Sequence, residues 1–106
     1  MFDGKNVVVT GSTGGLGSVV VRYFLENGAR VFAVYRKDKK FNLVFKDFFK
    51  NKNLTGIKAD VTDEKDVQKI FKIVKRNGGV DFLINCVGGY YEGEMIFELE
   101  EEKFDE

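Results

Sequence analysis

The stretch KNVVVTGSTGGLG, residues 5–17, constrains this chain more than any other. Val7, Val8 and Val9 are consecutive β-branched residues, which suits a strand buried on both faces, as in a parallel sheet. The run ends at Thr10 and meets Gly11, Gly14, Gly15 and Gly17. From Leu16 a helical spacing of apolar residues begins. A strand, a glycine turn and a helix N-terminus in succession form an arrangement that accepts a pyrophosphate. Glycine lets the backbone approach the anion, while free N–H groups and the helix dipole point at it. Gly11, Ser12, Thr13, Gly15, Leu16 and Gly17 are therefore the candidate anion-binding residues. A glycine loop alone means little; one inside a βαβ repeat means more.

The rest of the chain supplies that repeat. After a strand at residues 5–10, a helix is predicted over 16–27, with Leu16, Val19, Val20, Tyr23 and Phe24 as its buried stripe and Asn27-Gly28 as its stop. A second strand follows at 30–35, and the cluster of residues 36–40, RKDKK, reads as a loop. A weaker helix is expected over 42–50, with Phe41, Val44, Phe45, Phe48 and Phe49 on one side, and then a short strand near 55–59. In the next helix Thr62 is the expected N-cap, acids stand at the start and Lys75 and Arg76 at the end, and Val67, Ile70, Phe71 and Val74 form the stripe. A fourth strand spans 80–85, with Gly88-Gly89 just beyond. The tail from Glu94 reads as a loop entering another helix.

Alternating strands and helices imply an α/β fold: a Rossmann-type, doubly wound parallel sheet. Four strands in the order 3-2-1-4, with helices on both faces, would make a partial fold of this class. The first strand is then central, with the glycine loop at its carboxyl end beside the switch point where such sheets bind ligands. The 106 residues suit one domain, 1–106.

Composition removes several function classes. The 17 basic and 17 acidic residues balance, so there is no general electrostatic case for nucleic acid or an acidic membrane surface. There is no histidine, hence no Ser-His-Asp triad, and a zinc site is improbable. The single cysteine, Cys86, permits no internal disulfide and reads as a packing residue in a reducing compartment. With the first strand entered by Asn6 there is no room for a signal peptide, and no apolar run is long enough for a membrane span. The expected location is the cytoplasm.

Three motifs in order resemble the short-chain dehydrogenase/reductase family: Thr10-Gly11-x-x-x-Gly15-x-Gly17, the TGxxxGxG cofactor loop; Asp60-Val61 after the third strand; and Asn85-Cys86-Val87-Gly88 after the fourth, similar to the NNAG turn. Gly11, Gly14 and Gly17 also satisfy the TGxxGxxG pattern of the extended, epimerase-like branch, whereas Asn85-x-x-Gly88 favours the single-domain reductases. The resemblance implies an NAD(P)-binding portion of an oxidoreductase that transfers hydride between the nicotinamide and a carbonyl or alcohol substrate. It assigns Asp60, with Val61, to the adenine, Gly88 to the nicotinamide ribose and Asn85 to support of the neighbouring loops. Tyr90 and Tyr91 either line a substrate mouth or are ordinary loop aromatics.

Cofactor choice turns on the end of the second strand. An NAD-selective site carries an acid there for the ribose 2′-hydroxyl. Here Tyr35 is followed by Arg36 and Lys37, and a guanidinium suits the 2′-phosphate of NADP, with NAD as the alternative. The family's catalytic serine, asparagine and Tyr-x-x-x-Lys helix have no counterpart in this chain, so its catalytic residues number none. Tyr35 to Lys39 does spell Tyr-x-x-x-Lys, but at the ribose end of a strand and outside any expected helix. A chain of this kind is either the cofactor-binding part of an enzyme, inactive alone, or a non-catalytic dinucleotide-binding module. With nothing after it, the apolar fourth strand would be a bare edge, from which self-association is expected.

Overall fold

The computed structural model describes the backbone of residues 1–91 and 94–99 and the side chains of residues 1–86. The elements are β1 (Asn6–Thr10), α1 (Gly15–Glu26), β2 (Arg30–Tyr35), α2 (Asp38–Val44), a 3₁₀ turn (Lys46–Phe48), β3 (Leu54–Lys58), α3 (Glu64–Arg76), β4 (Phe82–Tyr91) and β5 (Glu94–Leu99). They form one sheet in the order β3-β2-β1-β4-β5. β1, β2, β3 and β4 are parallel neighbours, as the alternating pattern implies, and β1 lies between β2 and β4.

Both faces of β1 are covered. Val7 and Val9 pack with Val21 and Leu25 of α1 and with Phe45, just after α2. Val8 points the other way, into a cluster with Phe32, Ile57, Ile70 and Val74, the last two from α3. Helices on both faces explain why β1 and β2 read as continuous apolar runs rather than alternating ones.

The amino-terminal end of the sheet is closed by Asn6, which is 2% exposed. Its side-chain amide donates to the carbonyls of Asn77 (2.9 Å) and Gly79 (2.7 Å), and its carbonyl accepts from Arg30 Nε at 2.8 Å. Its backbone N–H donates to Asp81 Oδ2 at 2.8 Å, and its backbone carbonyl accepts the Asp81 N–H. One residue thus joins β1, β2, the end of α3 and the entry to β4.

Several sequence expectations are corrected. In α1 the fully buried residues are Gly17, Val21 and Leu25; of the expected stripe, Leu16, Val20 and Phe24 do pack half-buried against the core, whereas Val19 is 61% exposed and Tyr23 also faces solvent. Val19, Val20 and Val21 are consecutive, so periodicity alone cannot orient the helix. Gly17 does, because a Cβ there would lie 1.9 Å from the Gly11 carbonyl oxygen. The residue that must face the loop fixes which residues face the sheet four and eight positions later. The second helix occupies Asp38–Val44 rather than 42–50, leaving the sequence from Lys46 to a 3₁₀ turn and Phe49 exposed. The N-cap of α3 is Asp63, whose carboxylate accepts the Lys65 N–H, while Thr62 is bonded to Asp60 instead.

The largest differences lie after Asn85. β4 continues to Tyr91, so Gly88 and Gly89 fall inside a strand instead of a turn. Where a helix was expected after Glu94, β5 pairs antiparallel with β4, matching Ile84 with Leu99 and Cys86 with Phe97. The edge of β4 is therefore occupied, and the self-association expected from a bare β4 edge loses its basis. The register shifts between Cys86 and Tyr90, the place where two consecutive glycines interrupt the side-chain alternation. The side chains of Tyr90 and Tyr91 lie outside the described residues.

Candidate dinucleotide site

Two close approaches shape the loop between β1 and α1. Gly11 has φ +62°, and a Cβ on it would lie 1.9 Å from the carbonyl oxygen of Cys86 on β4. Gly17 meets the Gly11 carbonyl oxygen in turn. The loop is thus pressed against β4 on one side and against its own helix on the other, with no room for side chains at either contact. Ser12 is fully buried, its N–H (3.2 Å) and hydroxyl (2.8 Å) both donating to the Val34 carbonyl of β2. The structure therefore gives Ser12 an anchoring place rather than an open one. Thr10 completes the frame, its hydroxyl donating to Asn85 Oδ1 at the end of the β1–β4 pairing.

What the frame leaves open is the start of α1. Gly14 is the N-cap and provides no side-chain acceptor, and the first turn has no acidic residue. Ser18 N–H reaches the Gly14 carbonyl, but the N–H groups of Gly15, Leu16 and Gly17 have no acceptor among the described residues. The first turn of a helix always leaves such donors, and proteins ordinarily cap them. α3 shows the ordinary solution in the same chain: Asp63 caps it, and Glu64 and Asp66 occupy its first turn. A Cβ built on Gly15 meets nothing within 4 Å. Unpartnered donors, a positive dipole end and open space together make a seat for an anion.

That seat is one part of a cleft of about 820 Å³ at the carboxyl ends of β1, β2 and β4. Pockets of roughly 300–1,000 Å³ hold cofactor-sized ligands. Of the residues expected from sequence, Gly11, Thr13, Gly15, Leu16, Gly17, Arg36, Val61 and Asn85 line it. Asp60 lies beside it, in a smaller recess of about 390 Å³ shared with Arg36, Lys58 and Lys69. Gly88 lies within β4. The cations Lys37 and Lys40 also line the cleft, and sequence reading overlooked Lys40 because residues 36–40 read as a loop. With α2 beginning at Asp38, a residue at the N-cap and one three positions on share a side of the helix, which was the available signal.

Charge is arranged around the cleft unevenly. Arg36 is 74% exposed and lies 3.7 Å from Asp60 Oδ2, so two of the expected cofactor residues face each other. Hydrogen bonds from the Thr62 hydroxyl (2.6 Å) and Thr62 N–H (2.9 Å) hold the Asp60 carboxyl below the usual carboxylate range, with Arg36 adding to the effect. Tyr35 ends β2, stacks on Phe41 with ring centroids 4.2 Å apart, and donates its hydroxyl to Asp38 Oδ1 at 2.9 Å. Partial burial and that bond push its pKa up, the opposite of what an acid–base tyrosine needs. The Tyr35-to-Lys39 match to the catalytic pattern thus has its tyrosine at the end of β2, bonded to Asp38, and its lysine in the first turn of α2. Burial also raises the Cys86 thiol, keeping it protonated at neutral pH.

Comparisons with known proteins agree with this arrangement. The family model described as short chain dehydrogenase matches residues 5–106. Short-chain dehydrogenase reductase 3a of Arabidopsis thaliana is 32% identical over 105 residues, covering 98% of this chain and 40% of that protein. An uncharacterized oxidoreductase of Thermotoga maritima is 35% identical over 88 residues, covering 80% of this chain and 34% of that one. Among solved structures, a short-chain dehydrogenase/reductase of Brucella melitensis superposes with a TM-score of 0.77 at 25% identity, over 85% of this chain and 38% of that one. The N-domain of a bacterial malonyl-CoA reductase, solved with NADP, gives 0.68 at 28% identity, over 77% of this chain and 16% of that one. The chain thus spans well under half the length of the relatives it matches. With the strand order, the loop and the family match in agreement, the chain belongs to the short-chain dehydrogenase/reductase family.

Proposed function

We propose that this chain binds a nicotinamide dinucleotide, NADP in preference to NAD, as the cofactor-holding part of an oxidoreductase. The observation that carries the reading is the uncapped start of α1, with three unpartnered N–H groups opening on a cleft lined by Arg36, Lys37 and Lys40. The pyrophosphate would rest on the N–H groups of Gly15, Leu16 and Gly17, with Gly11 and Ser12 setting the loop and Thr13 beside it. Arg36, with Lys37 and Lys40 nearby, would take the 2′-phosphate, and Asp60 with Val61 would meet the adenine. Asn85, held by Thr10, and Gly88 stand on the strand that would lead to the nicotinamide. The dinucleotide supplies hydride exchange with a carbonyl or alcohol carbon; the residues here bind and orient it. No residue of this chain is assigned to the chemistry itself, so no turnover is expected of it alone.

A stand-alone dinucleotide-binding module is the second reading, and the pairing of β5 along β4 supports it. We place the protein in the cytoplasm because its one cysteine can form no internal disulfide; among the described residues no helix is long and apolar enough to cross a membrane. Calorimetric titration of the chain with NADPH and with NADH tests the cofactor reading. Saturable binding, tighter for NADPH, is the expected result; no binding of either would refute it.

A further inference from the structure

Four cations and one acid crowd the corner between β2 and α2: Arg36, Lys37, Lys39 and Lys40, and Asp38. A carboxylate here would repel a 2′-phosphate and would instead accept a hydrogen bond from a 2′-hydroxyl. Its placement is therefore the informative detail. Both Asp38 oxygens are engaged: Oδ1 accepts from the hydroxyl of Tyr35, the last residue of β2, at 2.9 Å, and Oδ2 accepts from Nζ of Lys58, the last residue of β3, at 2.9 Å. Arg36, Lys37 and Lys40 line the cleft, and Asp38 does not.

We propose that Lys58, from the end of β3, determines cofactor choice by holding Asp38 out of the cleft and neutralising it, so that the corner accepts a 2′-phosphate. The assignment rests on the dinucleotide reading above and concerns a positioning residue that lies outside the main cleft. Lys58 suits the part because it is the last residue of β3 and pairs in register with Tyr35, the last of β2. The ammonium therefore arrives at the level of the strand end where the ribose would lie. Hydrogen bonding to Lys58 first, and to Tyr35 second, holds the Asp38 carboxyl below its ordinary range, so it is ionised whenever the pair is made. Without the Lys58 partner the same ionised carboxylate, still tethered only by Tyr35, is free to turn toward the ribose.

The pair is exposed, at 57% for Lys58 and 58% for Asp38, so the expected effects are moderate. The test is NADPH and NADH dissociation constants, by calorimetry, for the wild-type chain and for Lys58→Met, Lys58→Arg, Asp38→Asn and the double variant Lys58→Met/Asp38→Asn. Lys58→Met should weaken NADPH about threefold to tenfold and leave NADH unchanged or tighter. Lys58→Arg should behave as wild type, Asp38→Asn should keep the NADPH preference, and the double variant should regain NADPH affinity. Rescue of a lysine loss by removal of an acid is not expected of a lysine that only supports the fold. Equal weakening of both cofactors in Lys58→Met, or no rescue in the double variant, would overturn the assignment while leaving the dinucleotide reading intact. A wild-type chain that binds neither cofactor would overturn that reading, and this assignment with it.

Discussion

Gly15 and Gly17 stand two residues apart in the first turn of α1, and the geometry assigns them opposite failures. Gly15 is the first residue of α1, and a Cβ on it meets nothing within 4 Å. Gly15→Val therefore leaves the fold intact. Because valine is a slightly better helix former than glycine, the change should stabilise the chain by a few tenths of a kcal/mol. The same side chain stands in front of the free N–H groups. Losing even one charge-assisted hydrogen bond removes roughly 1.5–3 kcal/mol of binding, about tenfold to 150-fold in affinity. At Gly17 an added methyl would lie 1.9 Å from the Gly11 carbonyl oxygen, a backbone atom that cannot swing away. Overpacking of this kind costs about 1–3 kcal/mol, occasionally more, and in a domain of this size lowers the melting temperature by about 4–8 °C per kcal/mol. Thermal denaturation followed by circular dichroism, with NADPH titration on whichever variant folds, separates the two. A Gly15→Val chain that binds NADPH like wild type would remove the helix start from the site, and a Gly17→Ala chain that melts like wild type would refute the close-packing argument.

Other expectations concern neighbouring features. Arg36→Ala should weaken NADPH by tenfold or more, on the scale of about 1.5–3 kcal/mol for a charged hydrogen bond, with little effect on NADH; equal losses in titration would count against the 2′-phosphate role. Val21→Ala removes two buried methyl groups and should destabilise by about 2 kcal/mol in urea unfolding, whereas Val19→Ala, 61% exposed, should stay within about 0.5 kcal/mol. The reverse ranking would return Val19 to the buried stripe expected from periodicity. The Asp60 carboxyl is held low by Thr62, so its contribution is complete above the ordinary carboxylate range and is lost as pH falls through the folded-state value. Urea midpoints measured downward from about pH 5 should therefore drop more steeply for wild type than for Asp60→Asn, and parallel curves would show that the bond adds nothing.

Much of this is legible in the amino-acid sequence itself. The Val7–Val9 run, the glycines and the alternation of periodicities gave the parallel order of four strands, because a strand buried on both faces has few other homes. Reading stopped short wherever a tertiary contact chose among locally equal options. The centre of the α1 face was one such case: helical spacing found Leu16, Val20 and Phe24, and the Gly11–Gly17 contact sets Val21 and Leu25 deepest. The start of α2 was another: RKDKK has loop composition, yet Asp38 opens the helix while bonded to Tyr35 and Lys58. The run after Asn85 reads in the sequence as a glycine turn and then a loop entering a helix, whereas β4 continues through the glycines and β5 pairs along it, hydrogen bonds that local composition does not reveal. In the site, the loop residues and Arg36 were visible as residue types at strand ends. Lys40 depended on a helix boundary, and Ser12 on the Val34 carbonyl that buries it.

The clasp at Asn6 has a consequence for the order in which the molecule can be built. Asn6 and Asp81 are 75 residues apart, and the Thr10–Asn85 link spans the same separation. Closing so long a loop carries a larger entropic penalty than local helices or the β1–β2 crossover do. During synthesis the first strand made therefore waits for the last parallel one: β1 emerges early and can acquire β2, but its other flank stays bare until β4 has been translated. The cleft draws on the ends of β1, β2 and β4. It is consequently absent until β4 has joined β1, however well the glycine loop and α1 have formed by then.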